Sequence, residues 1–360
     1  MVSASRVTVV GGGVIGLSVA WFAARAGFSV TVVDHASPHG GSRVAGGMLA
    51  PITEAWPGDE DVLALGVESL RLWPRFAADL DVPLSAAGTL AVATAPADAE
   101  VLDKLCAYLG AMGRSAARLT RRELRALEPG LGPLVRSGLS VPGDLSVDNR
   151  ALLTALRKAC EAHGVHIGRR STVDTDVTVI AAGAWSRDLH PALRDVIRPV
   201  KGEILRLAAR PGALPPPRHT IRAHVSGRPV YLVPRADGLV LGATQYEAGF
   251  DPHVTVGGVR DLLRDGEAVW PAIAEYALVE AAAGFRAGSP DNMPVVDWLE
   301  PAVIAATGHH RNGLLLAPIT AHRVLALLRG DPTPEPATDH HSANDHRQAK
   351  EAPVEGSGER

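Results

Sequence analysis

Three glycines near the start of the chain, Gly11, Gly13 and Gly16, stand as Gly-x-Gly-x-x-Gly, and Asp34 follows eighteen residues after the last of them. This is the chemistry of a dinucleotide site. The first glycine permits a tight turn, the second lets backbone approach a pyrophosphate, and the third lets helix and strand pack closely. The helix that follows offers aligned N–H groups and positive dipole to the phosphates. An acid at the end of the next strand accepts from the ribose hydroxyls, the role expected of Asp34. The alternative, a glycine-rich structural turn, leaves the strand, helix, second strand and acid in register by chance.

The motif alone does not separate a nicotinamide from a flavin. Two further segments bear on that. GGSRVAGGMLAP, within residues 37–51, is too poor in side chains for a solvent loop, and Gly46, Gly47 and Met48 suit a flat ring lying against backbone. Close packing between domains is the competing explanation. TGHHRNGLLLAP opens the last helix and would turn its amides and dipole toward the pyrimidine end of a flavin, where negative charge develops on reduction.

The elements that must position these residues can be read in outline. RVTVV, a glycine turn, LSVAWFAARAG and FSVTVVD form a β-α-β unit. VLALGVESLRLWPRFAADL is helical, with Pro74 bending or interrupting it. Thr120 and Glu123 have capping-box spacing, and Asp148 or Asn149 caps a helix that Gly164 stops. Ala236-Asp237-Gly238 between apolar runs marks a hairpin. Strand, glycine loop and helix return at the end, before a Pro-, His- and acid-rich tail.

Composition excludes other classes. The 360 residues carry a net charge of −3 with both signs dispersed, so no basic nucleic-acid face is expected. No apolar run approaches a membrane span, and no signal peptide precedes the first strand. Cys106 and Cys160 form no disulfide framework, and no His, Cys or acid cluster has metal-ligand spacing. A cytoplasmic protein without membrane, nucleic-acid or metal partners is the expectation.

With these motifs, and with SVDNRALLTAL, RPVKGEILRL, VYLVPRADGLVLGAT and GFRAGSPDNMPVV, the chain resembles glycine oxidase, within the D-amino-acid oxidase and sarcosine oxidase group of flavoproteins. The likeness runs from about Val7 to Leu328. It implies an α/β fold: a Rossmann-like FAD-binding domain (1–85, 143–199 and 285–332) with an inserted, mainly antiparallel β-sheet (α+β) substrate domain (86–142 and 200–284). Residues 333–360 are expected to be a disordered tail.

The resemblance also implies roles. Gly11, Gly13, Val14, Ile15, Gly16, Asp34, His35, Gly41, Ser42, Gly46, Gly47 and Met48 would touch FAD. Val173 would meet its adenosine half, and His309, His310, Arg311, Asn312, Gly313, Leu314 and Leu315 would wrap the flavin. Arg286 would bind the substrate carboxylate, Tyr231 would add a hydroxyl, and Arg311 would lie near substrate and flavin. A structural ion pair for Arg286 and core packing for Tyr231 are the bland readings. Adjacent His309 and His310 cannot both face one way in extended backbone. Trp73 and Trp185 read as core.

The implied reaction is oxidative deamination of glycine by dioxygen, with no acid or base residue required if hydride leaves the α-carbon directly. A homo-oligomer, and thiazole synthase as acceptor of the imine in thiamine making, are the implied partners. Sarcosine or a small D-amino acid is the alternative substrate, and a non-catalytic flavoprotein the remote one. Departures from the family pattern are Ala287 in place of Pro, Asp34 in place of Glu, and a short stretch between Gly164 and Thr178. Relatives that attach FAD use a Cys in the C-terminal half. None lies beyond residue 160, so FAD is expected to be non-covalent.

Overall fold

The computed structural model describes residues 5–170 and 174–331. Val173 and the tail beyond 331 lie outside the described residues. Strand β1 (Arg6–Val10), helix α1 (Val14–Arg25) and strand β2 (Ser29–Val33) open the chain. They seed a six-stranded sheet, in the order Val295–Glu300, Val303–Thr307, Val177–Ile180, β1, β2, His166–Gly168. All neighbours are parallel except the first pair. Parallel strands are buried on both faces and read as unbroken apolar runs. Val7, Val9, Val32, Val179 and Ile304 are correspondingly buried, packed with Leu17, Leu152, Leu156 and Val324 of the covering helices.

A second sheet of eight strands is antiparallel apart from one parallel pair, Thr220–Val225 beside Thr89–Ala93. Its long strands, Arg198–Ala208 and Ala277–Gly288, are partners. They run through positions 200 and 285, where the sequence reading divides the chain, so Arg286 stands on a strand of the second sheet. The hairpin at Asp237 forms as expected, with Arg235 opposite Gly238.

Helix ends follow local chemistry. Thr120 accepts from the Glu123 N–H and Glu123 returns to the Thr120 N–H, as a capping box requires. Asp148 caps Asn149–Ala162 by accepting from Arg150 and Ala151. Of the two outcomes expected at Pro74, the interruption does not occur: Glu60–Asp79 continues through it as one helix. Its buried face, with Trp73, Phe76 and Ala77, offsets the one hydrogen bond that proline removes. Among the described residues no helix is long and apolar enough to cross a membrane.

Candidate active site

The glycine turn between β1 and α1 has no room for side chains. Gly11 has φ +121°, and a Cβ there would strike the Ala181 carbonyl. A Cβ on Gly16 would strike the carbonyl of Gly11, which is why Gly16 packs below the turn and lines no cavity. Gly13 differs. Its φ is −79° and its nearest neighbour would be Ser42 Oγ at 3.1 Å, so space is left beside it. Ser42 Oγ also accepts from the Val14 N–H at 3.0 Å, tying the first turn of α1 to the short helix Gly41–Val44, which forms inside the stretch that the sequence reads as a loop.

A cavity of about 1060 Å³ runs over this turn, lined by Gly11, Gly13, Asp34, His35, Ser42 and Arg157 among others. Asp34 accepts from the Ala36 N–H at 2.8 Å and from Arg157 at 2.7 Å. No local sequence signal points to Arg157, from helix Asn149–Ala162. It neutralises a carboxylate that still faces the cavity. Gly12, also missed, is glycine because a Cβ would collide with that same carboxylate.

A smaller cavity of about 240 Å³ continues from the first and shares Ile15, Gly41, Ser42, Phe285 and His309 with it. Val14, Gly46, Gly47, Met48, Tyr231, Arg286 and residues 309–315 line it. The strip Gly46–Met48 is held on both sides. Val147 donates to the Gly47 carbonyl at 2.9 Å, and Arg235 donates to that of Gly46 at 2.7 Å. A Cβ on Gly46 would lie 2.7 Å from the Tyr231 ring. The 309–315 segment is fixed by Ser69 and Trp73, which donate to the Leu315 carbonyl at 2.6 and 2.9 Å. Trp73 is therefore core and also a strut. Gly313, Leu314 and Leu315 keep backbone N–H groups with no backbone acceptor among the described residues. An elongated channel, a side-chain-free glycine turn at one end and free amides at the other fit a flavin dinucleotide: FAD would lie with its pyrophosphate at Gly11–Gly13 and its ring against Gly46–Met48.

The two histidines separate as the backbone demands. His309 is buried, with Nε2 2.9 Å from Thr320 Oγ1 on the last helix. His310 adopts φ +45°, and its ring lines the smaller cavity with both nitrogens unpartnered among the described residues. Burial pushes His309 down to about 3 and, with Arg286, Arg311 and Arg198 nearby, His310 to about 4. Both are neutral rings. Burial likewise raises the Tyr231 hydroxyl, which stays a protonated donor.

Three guanidinium groups line the smaller cavity. Arg222 pairs with Glu54. Arg311 pairs with Glu54 at 3.3 Å and Asp59 at 3.2 Å, so two cations and two carboxylates balance along that wall. Arg286 is different: among the described residues no carboxylate lies within ion-pair distance of it. Burial disfavours its charge, and Tyr231 and Glu54 oppose that effect. Arg222 and Glu54 were missed from sequence. Arg222 stands opposite Tyr231 on the paired strand, a register no local signal reveals. Trp185 stacks on Phe250 and lines the larger cavity, and neither cysteine lines either cavity.

The bifunctional protein ThiO/ThiG of Trichormus variabilis is 31% identical over 97% of the chain and 56% of that protein. The chain thus spans about half the length of the bifunctional relatives it matches. A putative thiamine biosynthesis oxidoreductase ThiO of Rhizobium etli is 33% identical over 90% of the chain and 96% of that protein. Glycine oxidase of Geobacillus kaustophilus superposes with a TM-score of 0.81 and 28% identity, covering 92% of this chain and 96% of that one. The family described as FAD dependent oxidoreductase (DAO) matches residues 6–327, and the chain belongs to this family.

Proposed function

We propose that the protein oxidises glycine, or a similarly small amino acid, to its imine. The observation that carries this reading is Arg286, a guanidinium without a carboxylate partner among the described residues, facing the small cavity beside the Tyr231 hydroxyl. A planar, permanently charged fork suits a carboxylate in bidentate geometry. The Arg222, Arg311, Glu54 and Asp59 group is already charge-balanced, so among the described residues Arg286 is left as the cation that matches one carboxylate. Tyr231 limits rotation of the bound acid. Among the described residues no unpaired carboxylate lines the cavity to hold an ammonium, so burial favours the amine in the neutral form that oxidation needs.

Bound FAD supplies the two-electron chemistry, with dioxygen as acceptor, yielding imine and hydrogen peroxide. Water releases glyoxylate and ammonia from the imine. The relatives named ThiO/ThiG and thiamine biosynthesis oxidoreductase support a place in thiamine making, with a thiazole-forming enzyme as imine acceptor. The absence of cysteine from both cavities supports non-covalent FAD.

The experiment is Arg286→Ala, assayed at equal flavin content for peroxide from glycine and from ethylamine. Truncating a buried charge-assisted partner costs about 2–5 kcal/mol, which is about 30- to several-thousandfold in kcat/KM. Glycine should lose that much, and ethylamine far less, since it never used the anchor. Equal losses, or a glycine loss below about tenfold, would show that Arg286 is not the carboxylate anchor.

A further inference from the structure

Arg286 stands on the strand Ala277–Gly288, opposite Val200 of Arg198–Ala208. Its side chain crosses that neighbouring strand over Gly202, where a Cβ would lie 2.5–2.6 Å from the guanidinium. Beyond the crossing, Nη1 donates to the Thr244 carbonyl at 3.3 Å. The segment 243–255 thus holds the far end of the fork. It is bound to the same strand by backbone: Lys201 and Tyr246 exchange hydrogen bonds of 3.0 and 2.9 Å, and Thr244 N–H donates to the Glu203 carbonyl at 3.2 Å.

Lys201 and Glu203 flank Gly202, and adjacent strand residues point to opposite faces. Both are fully buried. The Glu203 N–H donates to Thr244 Oγ1 at 2.9 Å, and that hydroxyl lies 3.3 Å from the Glu203 carboxylate. The same carboxylate accepts from Thr255 N–H at 2.8 Å and Thr255 Oγ1 at 3.3 Å. Both ends of the segment therefore converge on one side chain. Lys201 Nζ neutralises it from 3.5 Å and reaches Asp251, midway along the segment, at 2.6 Å. Helix Val256–Val269 closes over the cluster, since a Cβ on Gly258 would strike the Glu203 carboxylate.

A buried ionic cluster is a poor source of stability, because desolvation offsets the Coulomb attraction and an apolar set of equal volume does as well. This cluster instead converges on the segment that holds the anchor. We propose that Glu203 is a positioning residue for Arg286: through Thr244 it fixes the guanidinium across Gly202 in the orientation that receives a carboxylate. The proposal rests on the substrate reading given above.

The test uses holoenzyme carrying Glu203→Gln, Thr244→Val, Thr244→Ser or Arg286→Lys, and the Glu203→Gln/Arg286→Lys double variant. Acetate, a carboxylate without an amine, is titrated against the flavin absorbance, and glycine kcat and KM are measured. Glu203→Gln should weaken acetate and raise the glycine KM by about tenfold, the scale of coupling between groups in one network. Its kcat should stay within about twofold. Thr244→Val should weaken acetate severalfold while leaving the Lys201–Asp251 pair intact, and Thr244→Ser should restore it. In the Arg286→Lys background, Glu203→Gln should change acetate affinity by less than about twofold. Should Glu203→Gln fail to hold FAD, the Thr244 pair decides. Acetate affinity unchanged in Thr244→Val, or a Glu203→Gln loss as large with Lys at 286 as with Arg, would overturn the proposal and leave Glu203 a support of the fold. If Arg286→Ala itself binds acetate as well as the wild type, the anchor reading fails instead.

Discussion

Gly13→Ala separates what the fold needs from what the cofactor needs. The residue has φ −79°, open to any amino acid, and its added methyl would meet only Ser42 Oγ at 3.1 Å. That hydroxyl ends a short side chain and can give by a few tenths of an ångström. Stability of the apoprotein should therefore change by less than about 1 kcal/mol, the usual scale of a Gly→Ala exchange. The pyrophosphate, by contrast, must come within hydrogen-bond distance of this backbone, and a methyl on its path prevents that. Loss of one hydrogen bond to a charged group is worth about 1.5–3 kcal/mol, or about 10- to 150-fold in Kd. The assay is titration of FAD into apoprotein, paired with its thermal midpoint. Gly16→Ala is the contrasting control, because its methyl would strike the Gly11 carbonyl and damage the fold itself. FAD affinity within about threefold of wild type, or a midpoint lowered as far as in Gly16→Ala, would refute the cradle.

Two further outcomes follow. Acid should destabilise the protein through His309 and His310, pushed to about 3 and about 4 by burial. Unfolded histidines take up protons near 6.5, so between there and the folded values the unfolded state binds more protons. Stability then falls as pH falls, by up to about 1.4 kcal/mol per pH unit for each ring. His309→Gln should flatten the slope of urea midpoint against pH; an unchanged slope would remove His309 from the account. Heat or acid denaturation should release all the yellow colour into the supernatant, and colour retained on the precipitated chain would contradict non-covalent FAD.

What could be read from sequence was what local geometry dictates. Gly11 must be glycine because of its own φ, and the strand–turn–helix around it needs no distant partner to be recognised. The cap at Thr120 and the turn at Asp237 are local in the same way. The site's charge balance was not legible, because it depends on register. Arg222 meets Glu54 across 168 residues. Gly202 lies beneath Arg286 only because Val200 pairs with Arg286, on strands whose register shifts at Arg206/Leu207. Arg311 could be placed at the cavity from its motif, but its engagement by Glu54 and Asp59 could not. Pro74 is the converse case: the break that a local rule allows does not form, because tertiary packing of Trp73 and Phe76 carries the helix through it.

The central claim, that this chain holds a flavin which oxidises a small amino acid, is tested most directly by the absorption spectrum of the purified protein without oxygen. Adding glycine should bleach the oxidised flavin band, and readmitting air should restore it with release of hydrogen peroxide. A yellow protein whose spectrum stays unchanged with glycine, sarcosine and small D-amino acids alike would contradict the account.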